Sequence, residues 1–130
     1  MTSRHSPASV MLIGDDDQLL RMMTWILLEA GYYVWKCASV EEAVRHSKEL
    51  RPDVLLLDGP ADVPKDTALD ELRAVYPAAR MIGVHVHGDP PHRHLRAEGH
   101  LHKPFHADDL LAEVAQVRQQ PVGAASNHRH

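Results

Sequence analysis

The chain is predicted to be a three-layer α/β domain with a five-stranded parallel sheet in the order 2-1-3-4-5. Three observations lead there. Short apolar runs alternate with amphipathic helical stretches along most of the chain. Three of those runs, starting at Val10, Val54 and Met81, are almost unbrokenly apolar, as strands buried on both faces must be. The remaining two, Val34-Trp35-Lys36-Cys37 and Gly99-His100-Leu101-His102, carry polar residues at intervals and read as the sheet edges.

The first strand, Val10-Met11-Leu12-Ile13, stops at Gly14 and the acidic run Asp15-Asp16-Asp17. A helix is predicted from about residue 17 to 30, with Leu19, Met23, Ile26, Leu27 and Ala30 on its inner face and Gly31 as its C-terminal stop. The second strand covers about 32–37. Ser39 with Glu42 three residues on has the form of a capping box and opens a second helix, whose Val40, Ala43, Val44 and Ser47 share a face. The third strand, Val54-Leu55-Leu56-Leu57, ends at Asp58. After a loop over about 59–65, a third helix over about 66–75 turns Leu69, Leu72 and Val75 inward. The fourth strand is Met81-Ile82-Gly83-Val84. The loop after it contains Pro90-Pro91, so any helix there is short. The fifth strand covers about 99–102. A last helix over about 107–119 uses Leu110, Leu111, Val114 and Val117, with Asp108 and Asp109 in its first turn, where they suit the helix dipole. The predicted division is an N-terminal extension over 1–9, one domain over 10–118 and a flexible tail over 119–130.

A chain of 130 residues holds one domain of this kind and little more. One cysteine, Cys37, excludes a disulfide framework. The balance of 18 acidic against 14 basic residues, with no basic stripe, argues against direct nucleic-acid binding. The first apolar run is too short for a signal segment or a membrane span, so the expected location is the cytoplasm, with no membrane contact.

In a sheet of this order, ligands bind beyond the carboxyl ends of the strands, at the switch point between strands one and three. Asp15 and Asp16 close strand one and Asp58 closes strand three, so three carboxylates are expected to share one crevice. Like charges this close repel unless a cation joins them, and magnesium suits oxygen ligands with one or two carboxylates and several waters. Singly, each aspartate reads equally well as a turn or cap residue, with Asp17 as the cap of the first helix. Together, and with Lys103 on the same rim, they read as a site. Pro104 restricts Lys103 to extended geometry.

Asp15-Asp16-Asp17 after an apolar strand, Asp58 after Val54 to Leu57, and Lys103-Pro104-Phe105 together resemble the receiver domain of bacterial two-component response regulators. The resemblance runs from about Val10 to Val117. It implies the flavodoxin-like (βα)5 fold, with Asp58 as the phosphoacceptor. It further implies a Mg2+ ion held directly by Asp16 and Asp58, through water by Asp15, and by the backbone carbonyl of Pro60. Lys103 would contact the phosphoryl group, and the Lys103–Pro104 bond would be cis. Implied partners are a sensor histidine kinase or phosphotransfer protein upstream and a protein partner downstream, with a homodimer left open. The chain would be a phosphoacceptor signalling domain rather than an enzyme, with self-catalysed aspartyl phosphorylation and dephosphorylation open to it.

The chain also differs from that family. Its loop after the acceptor reads Gly59-Pro60-Ala61-Asp62-Val63-Pro64, and His85 stands where the family has Ser or Thr. His100 stands where the family has an aromatic switch residue. His85 and His100 therefore occupy the switch positions, and His85 is also a candidate donor to the phosphoryl group. With His87, His92, His94, His102 and His106 they form a histidine-rich stretch, which reads as solvated or locally packed residues or, alternatively, as a zinc-type site. Two other functions stay open: a receiver-like interaction module independent of phosphate, and a histidine-rich metal-binding protein.

Overall fold

The computed structural model describes residues 8–58, 66–86 and 97–123, with side chains described from residue 70 in the second segment. The expected strands and helices follow in order: β1 (Ser9–Ile13), α1 (Asp17–Glu29), β2 (Tyr33–Cys37), α2 (Val40–Arg45), β3 (Val54–Asp58), α3 (Asp66–Val75), β4 (Arg80–Val86), β5 (Gly99–Lys103) and α4 (Ala107–Arg118). The strands form one parallel sheet in the order β2-β1-β3-β4-β5. The central strands β1 and β3 are buried along their whole length, whereas β2 is mostly exposed or half-buried, as its lysine and tyrosine require.

Side chains alternate across the sheet and build two cores. Val10, Leu12, Val54, Leu56, Ile82, Val84 and Leu101 pack under α1 and α4, where Met23, Leu27, Leu110, Val114 and Val117 meet them. Met11, Ile13, Leu55, Leu57 and Met81 face the other way, against Ala43 of α2 and Leu72 of α3. Tyr76, buried below α3, joins the second core and donates its hydroxyl to the Ala43 carbonyl at 2.6 Å. Gly99 lets α4 lie close on β5, because a Cβ there would run into the Val117 and Glu113 side chains.

Several details differ from expectation. The inner face of α1 is Leu20, Met23 and Leu27, with Leu19 half-buried and Ala30 exposed, because the helix is rotated toward α4. Asp16, not Asp17, caps α1, accepting the Leu19 N–H at 3.1 Å, while Asp17 lies one residue inside the helix and pairs with Arg21 at 3.7 Å. Ser47 falls beyond α2, and the predicted capping box forms only in half: Ser39 caps the helix by accepting the Glu42 N–H at 3.1 Å, but the Glu42 carboxylate accepts the Ala38 N–H at 2.9 Å rather than that of Ser39. The fourth strand runs on to Val86 and so includes His85, and the fifth includes Lys103. At the C-terminus, residues 120–123 are tied to the body. Arg80 donates to the Gln120 carbonyl at 2.9 Å, and the Gly123 N–H reaches Glu98 at 2.6 Å. The calls on the loop over 59–65, the Leu69 side chain, the loop over 87–93 and the tail beyond Gly123 lie outside the described residues.

Candidate functional site: a carboxylate crevice at the ends of β1, β3 and β5

Asp58 is the last residue of β3, is 6% exposed, and sits opposite Val84 of β4. By alternation its side chain shares the face of Leu56, under α1 and α4. Lys103, two residues beyond Leu101 on β5, lies on that same face, and its ammonium reaches Asp58 Oδ1 at 3.0 Å. Two strands that never touch each other, with β4 between them, thus deliver an anion and a cation to one point.

β1 closes the third side. Gly14 follows it and donates its N–H to the Cys37 carbonyl at 3.0 Å. A Cβ on Gly14 would stand 2.9 Å from the Asp58 Cβ, so the close approach of the two strand ends requires glycine. Asp15 and Asp16 therefore begin directly beside the acceptor carboxylate, both exposed to solvent. Beside this crevice a groove lined by Gly14, Asp15, Asp17, Lys36, Cys37 and Glu42 runs toward β2, away from Lys103. The Cys37 thiol behind it is inert: burial, then the Glu42 charge, pushes its pKa up to about 11.

The electrostatic state of Asp58 is unusual for a buried carboxylate. Oδ1 is shielded from solvent and accepts no hydrogen bond among the described residues, although the Lys103 ammonium is within ion-pair distance. The two facts agree once direction is considered, since an ion pair needs only proximity while a hydrogen bond needs alignment. The oxygen retains coordination capacity that lysine does not use. A hard cation fits this donor set. The groups are carboxylate oxygens, one of them incompletely satisfied, and two more stand at the open rim with room for water. Among the described residues no three His, Cys, Asp or Glu side chains, Asp15, Asp16 and Asp58 included, are grouped so as to enclose an ion, so an ion here would keep several water ligands, as magnesium does. Pro60, expected to add a backbone ligand, lies outside the described residues.

The histidines divide. His85 is 4% exposed on β4, and its Nε2 lies 2.9 Å from Nδ1 of half-buried His100 on β5. Their rings stack with centroids 5.1 Å apart, and the His102 ring lies 5.4 Å from His85. Alternation turns all three to the sheet face opposite Asp58. The structure thus brings His85 and His100, the two expected switch positions, together, and places Lys103 rather than His85 on the sheet face of the Asp58 side chain. His106 is exposed at the N-cap of α4. His87, His92 and His94 lie outside the described residues. The Lys103–Pro104 bond is cis.

Sequence reasoning missed one charged cluster. At the opposite end of the sheet, Glu98 is 1% exposed and accepts from the Met81 N–H at 2.7 Å, the Gly123 N–H at 2.6 Å and both arms of the Arg73 guanidinium at 3.4 Å. Burial pushes its carboxyl up, but the two backbone donors and Arg73 outweigh that and hold it below the usual carboxylate range. Nothing in Ala97-Glu98-Gly99 as a string marks Glu98 as buried, since its three donors come from distant positions.

This architecture, a parallel sheet in the order 2-1-3-4-5, is shared with solved receiver domains. The chain superposes on a CheY-like response regulator receiver domain from Methanospirillum hungatei with a TM-score of 0.72 at 20% identity, covering 87% of this chain and 94% of that one. For the chemotaxis response regulator CheY4 of Vibrio cholerae the TM-score is 0.72 at 23% identity, covering 86% and 99%. For FixJ-N it is 0.76 at 19% identity, covering 91% and 98%. No protein-family model matches the chain, and no curated protein does. The chain has the receiver fold.

Proposed function

We propose that the chain is a phosphoacceptor receiver. In this reading Asp58 takes a phosphoryl group from a phosphohistidine of a sensor kinase or phosphotransfer protein, with Mg2+ bound, and the phosphorylated form signals through contacts with a downstream protein. The observation that carries it is the buried Asp58 carboxylate, one oxygen of which accepts no hydrogen bond among the described residues and lies 3.0 Å from the Lys103 ammonium.

The chemistry follows from those groups. An Asp58 oxygen attacks phosphorus, an O–P bond forms as the N–P bond of the donor breaks, and the departing imidazole takes up a proton. Such a transfer demands positioning and charge neutralisation rather than covalent help. Lys103 supplies one fixed positive charge for the phosphoryl oxygens. Asp15 and Asp16, with Asp58, would hold the ion, which supplies charge neutralisation at the transferring group when bound. Asp16 retains one oxygen for this role, since its Oδ1 caps α1. Gly14 keeps the β1 end close enough for the set to act together.

The proposed setting is the cytoplasm. Among the described residues no helix is long and apolar enough to cross a membrane. A phosphate-independent interaction module is the second reading, favoured by the contact already formed between His85 and His100.

Intact mass after incubation with acetyl phosphate separates the two. A phosphoryl adduct that requires magnesium and is lost in Asp58→Asn supports the acceptor. No adduct, together with no magnesium binding, moves the function to constitutive protein contacts.

A further inference from the structure

We propose that His85 and His100 form a proton-bridged pair that titrates as one unit, and that loading both rings with protons swings His100 outward and opens the end of β4 and β5. This deepens the acceptor reading, on which its regulatory meaning rests, by naming a control on the same site.

The geometry leaves few alternatives for the proton. Nε2 of His85 and Nδ1 of His100 are 2.9 Å apart, which is hydrogen-bond distance. A hydrogen bond between two imidazoles contains one hydrogen, so one ring donates and the other offers its lone pair. The neutral pair satisfies this. A singly charged pair satisfies it better, because an imidazolium is the stronger donor. A doubly charged pair cannot: two N–H groups would face each other at 2.9 Å with no lone pair between them, and two like charges would repel. Protons therefore enter in two macroscopic steps that belong to the pair, and the second breaks the bridge.

Which ring moves is decided by burial and anchoring. His85 is 4% exposed, near the end of β4, and lies opposite His102 in the β4–β5 register. His100 is half-buried on the edge strand β5. Its backbone is fixed, since its N–H donates to Glu113 Oε2 of α4 at 3.0 Å. Opening must then come from rotation of the His100 side chain, not from movement of the strand.

Among the described residues, the pair has these titratable and charged neighbours. His102 stands opposite His85 in the β4–β5 register, with its ring at 5.4 Å. Lys103 and Asp58 pair on the other face of the sheet. Glu113 approaches from α4. From α3, Arg73 is joined to Glu98 at the far end of β5, and Asp70 is exposed. His102, a neutral or positive neighbour, makes the second proton harder to add.

The test is imidazole nitrogen NMR on the full chain across about pH 5 to 8. His85 and His100 are expected to follow the same two-step curve. In His100→Phe, His85 should collapse to one step with a shifted midpoint. His100→Gln provides the same comparison if the phenylalanine variant does not fold. Independent single-step curves for His85 and His100 in the wild type, or an unchanged His85 curve in both variants, would overturn the pair. A second arm measures the acetyl phosphate adduct over the same range, with wild-type yield expected to change at least about threefold and the His100 variants to flatten that profile. Flat wild-type yield overturns the regulatory role. Absence of adduct at every pH instead overturns the acceptor reading, and the NMR arm still decides the pair.

Discussion

The two ends of the sheet each bury a carboxylate beside a cation, and they treat it in opposite ways. At the amino end, Glu98 has two backbone donors and a two-armed Arg73, and every direction around it is used. At the carboxyl end, Asp58 has Lys103 at 3.0 Å and an oxygen without a hydrogen bond among the described residues. Glu98 ties three distant segments, β4, α3 and the residues after α4, into one joint. Asp58 ties nothing to completion. A saturated carboxylate is a structural element, because its charge is already neutralised and its lone pairs occupied. An unsaturated one beside a cation keeps lone pairs with which to coordinate a further group. The difference between the ends is therefore a difference between stability and reactivity, and substitutions can separate the two.

The largest expected effect is on chemistry. Asp58→Asn should remove the phosphoryl adduct completely in intact-mass measurements, while its unfolding free energy stays within about 1 kcal/mol of wild type, since loss of the pairing with Lys103, whose side chain keeps some access to water, is offset by relief of repulsion from Asp15 and Asp16. A drop as large as that of the Glu98 variant would contradict the contrast.

Next is the opposite end. Glu98→Gln should lower stability by about 2–3 kcal/mol in urea unfolding, because charge-assisted hydrogen bonds are replaced by neutral ones and one amide hydrogen faces the Gly123 N–H or Arg73. The adduct should still form. The pH dependence has a definite sign. The folded-state pKa of Glu98 is lowered, so its contribution is complete above the unfolded carboxylate value, about 4.3, and is lost as pH falls through the lower folded value. Acid unfolding of Glu98→Gln should accordingly be shallower than that of wild type over this range.

Gly14→Ala should sharpen the comparison from the side of the crevice. Its Cβ would meet the Asp58 Cβ at 2.9 Å, so one strand end must shift. A stability loss of about 1–2 kcal/mol is expected, with magnesium affinity, measured by titration calorimetry, falling in parallel. Unchanged affinity would mean that β1 does not complete the site.

The smallest effect belongs to the scaffold. Ser39→Ala removes the cap on α2, where Ser39 accepts the Glu42 N–H at 3.1 Å. It should cost about 1 kcal/mol in urea unfolding and leave both ends of the sheet as they are.

Much of this was legible in the sequence because it depends on local pattern. Unbroken apolar runs at Val10, Val54 and Met81 specify strands covered on both faces, and polar residues in the other two mark the edges, which matches the order 2-1-3-4-5. Asp15, Asp16, Asp58 and Lys103 were found because strand ends in such a sheet converge, whatever lies between them in the chain. What only the tertiary structure decided are relations between side chains on different elements. The rotation that buries Leu20 rather than Leu19 comes from packing against α4. The cap at Asp16 rather than Asp17 depends on the actual chain path into α1. The turning of His85 onto His100, away from the face of Asp58, depends on the β4–β5 register. Glu98 was invisible for the same reason. A carboxylate becomes buried and saturated only when donors from Met81, Arg73 and Gly123 are brought to it, and a sequence records the acceptor without recording which donors the fold will supply.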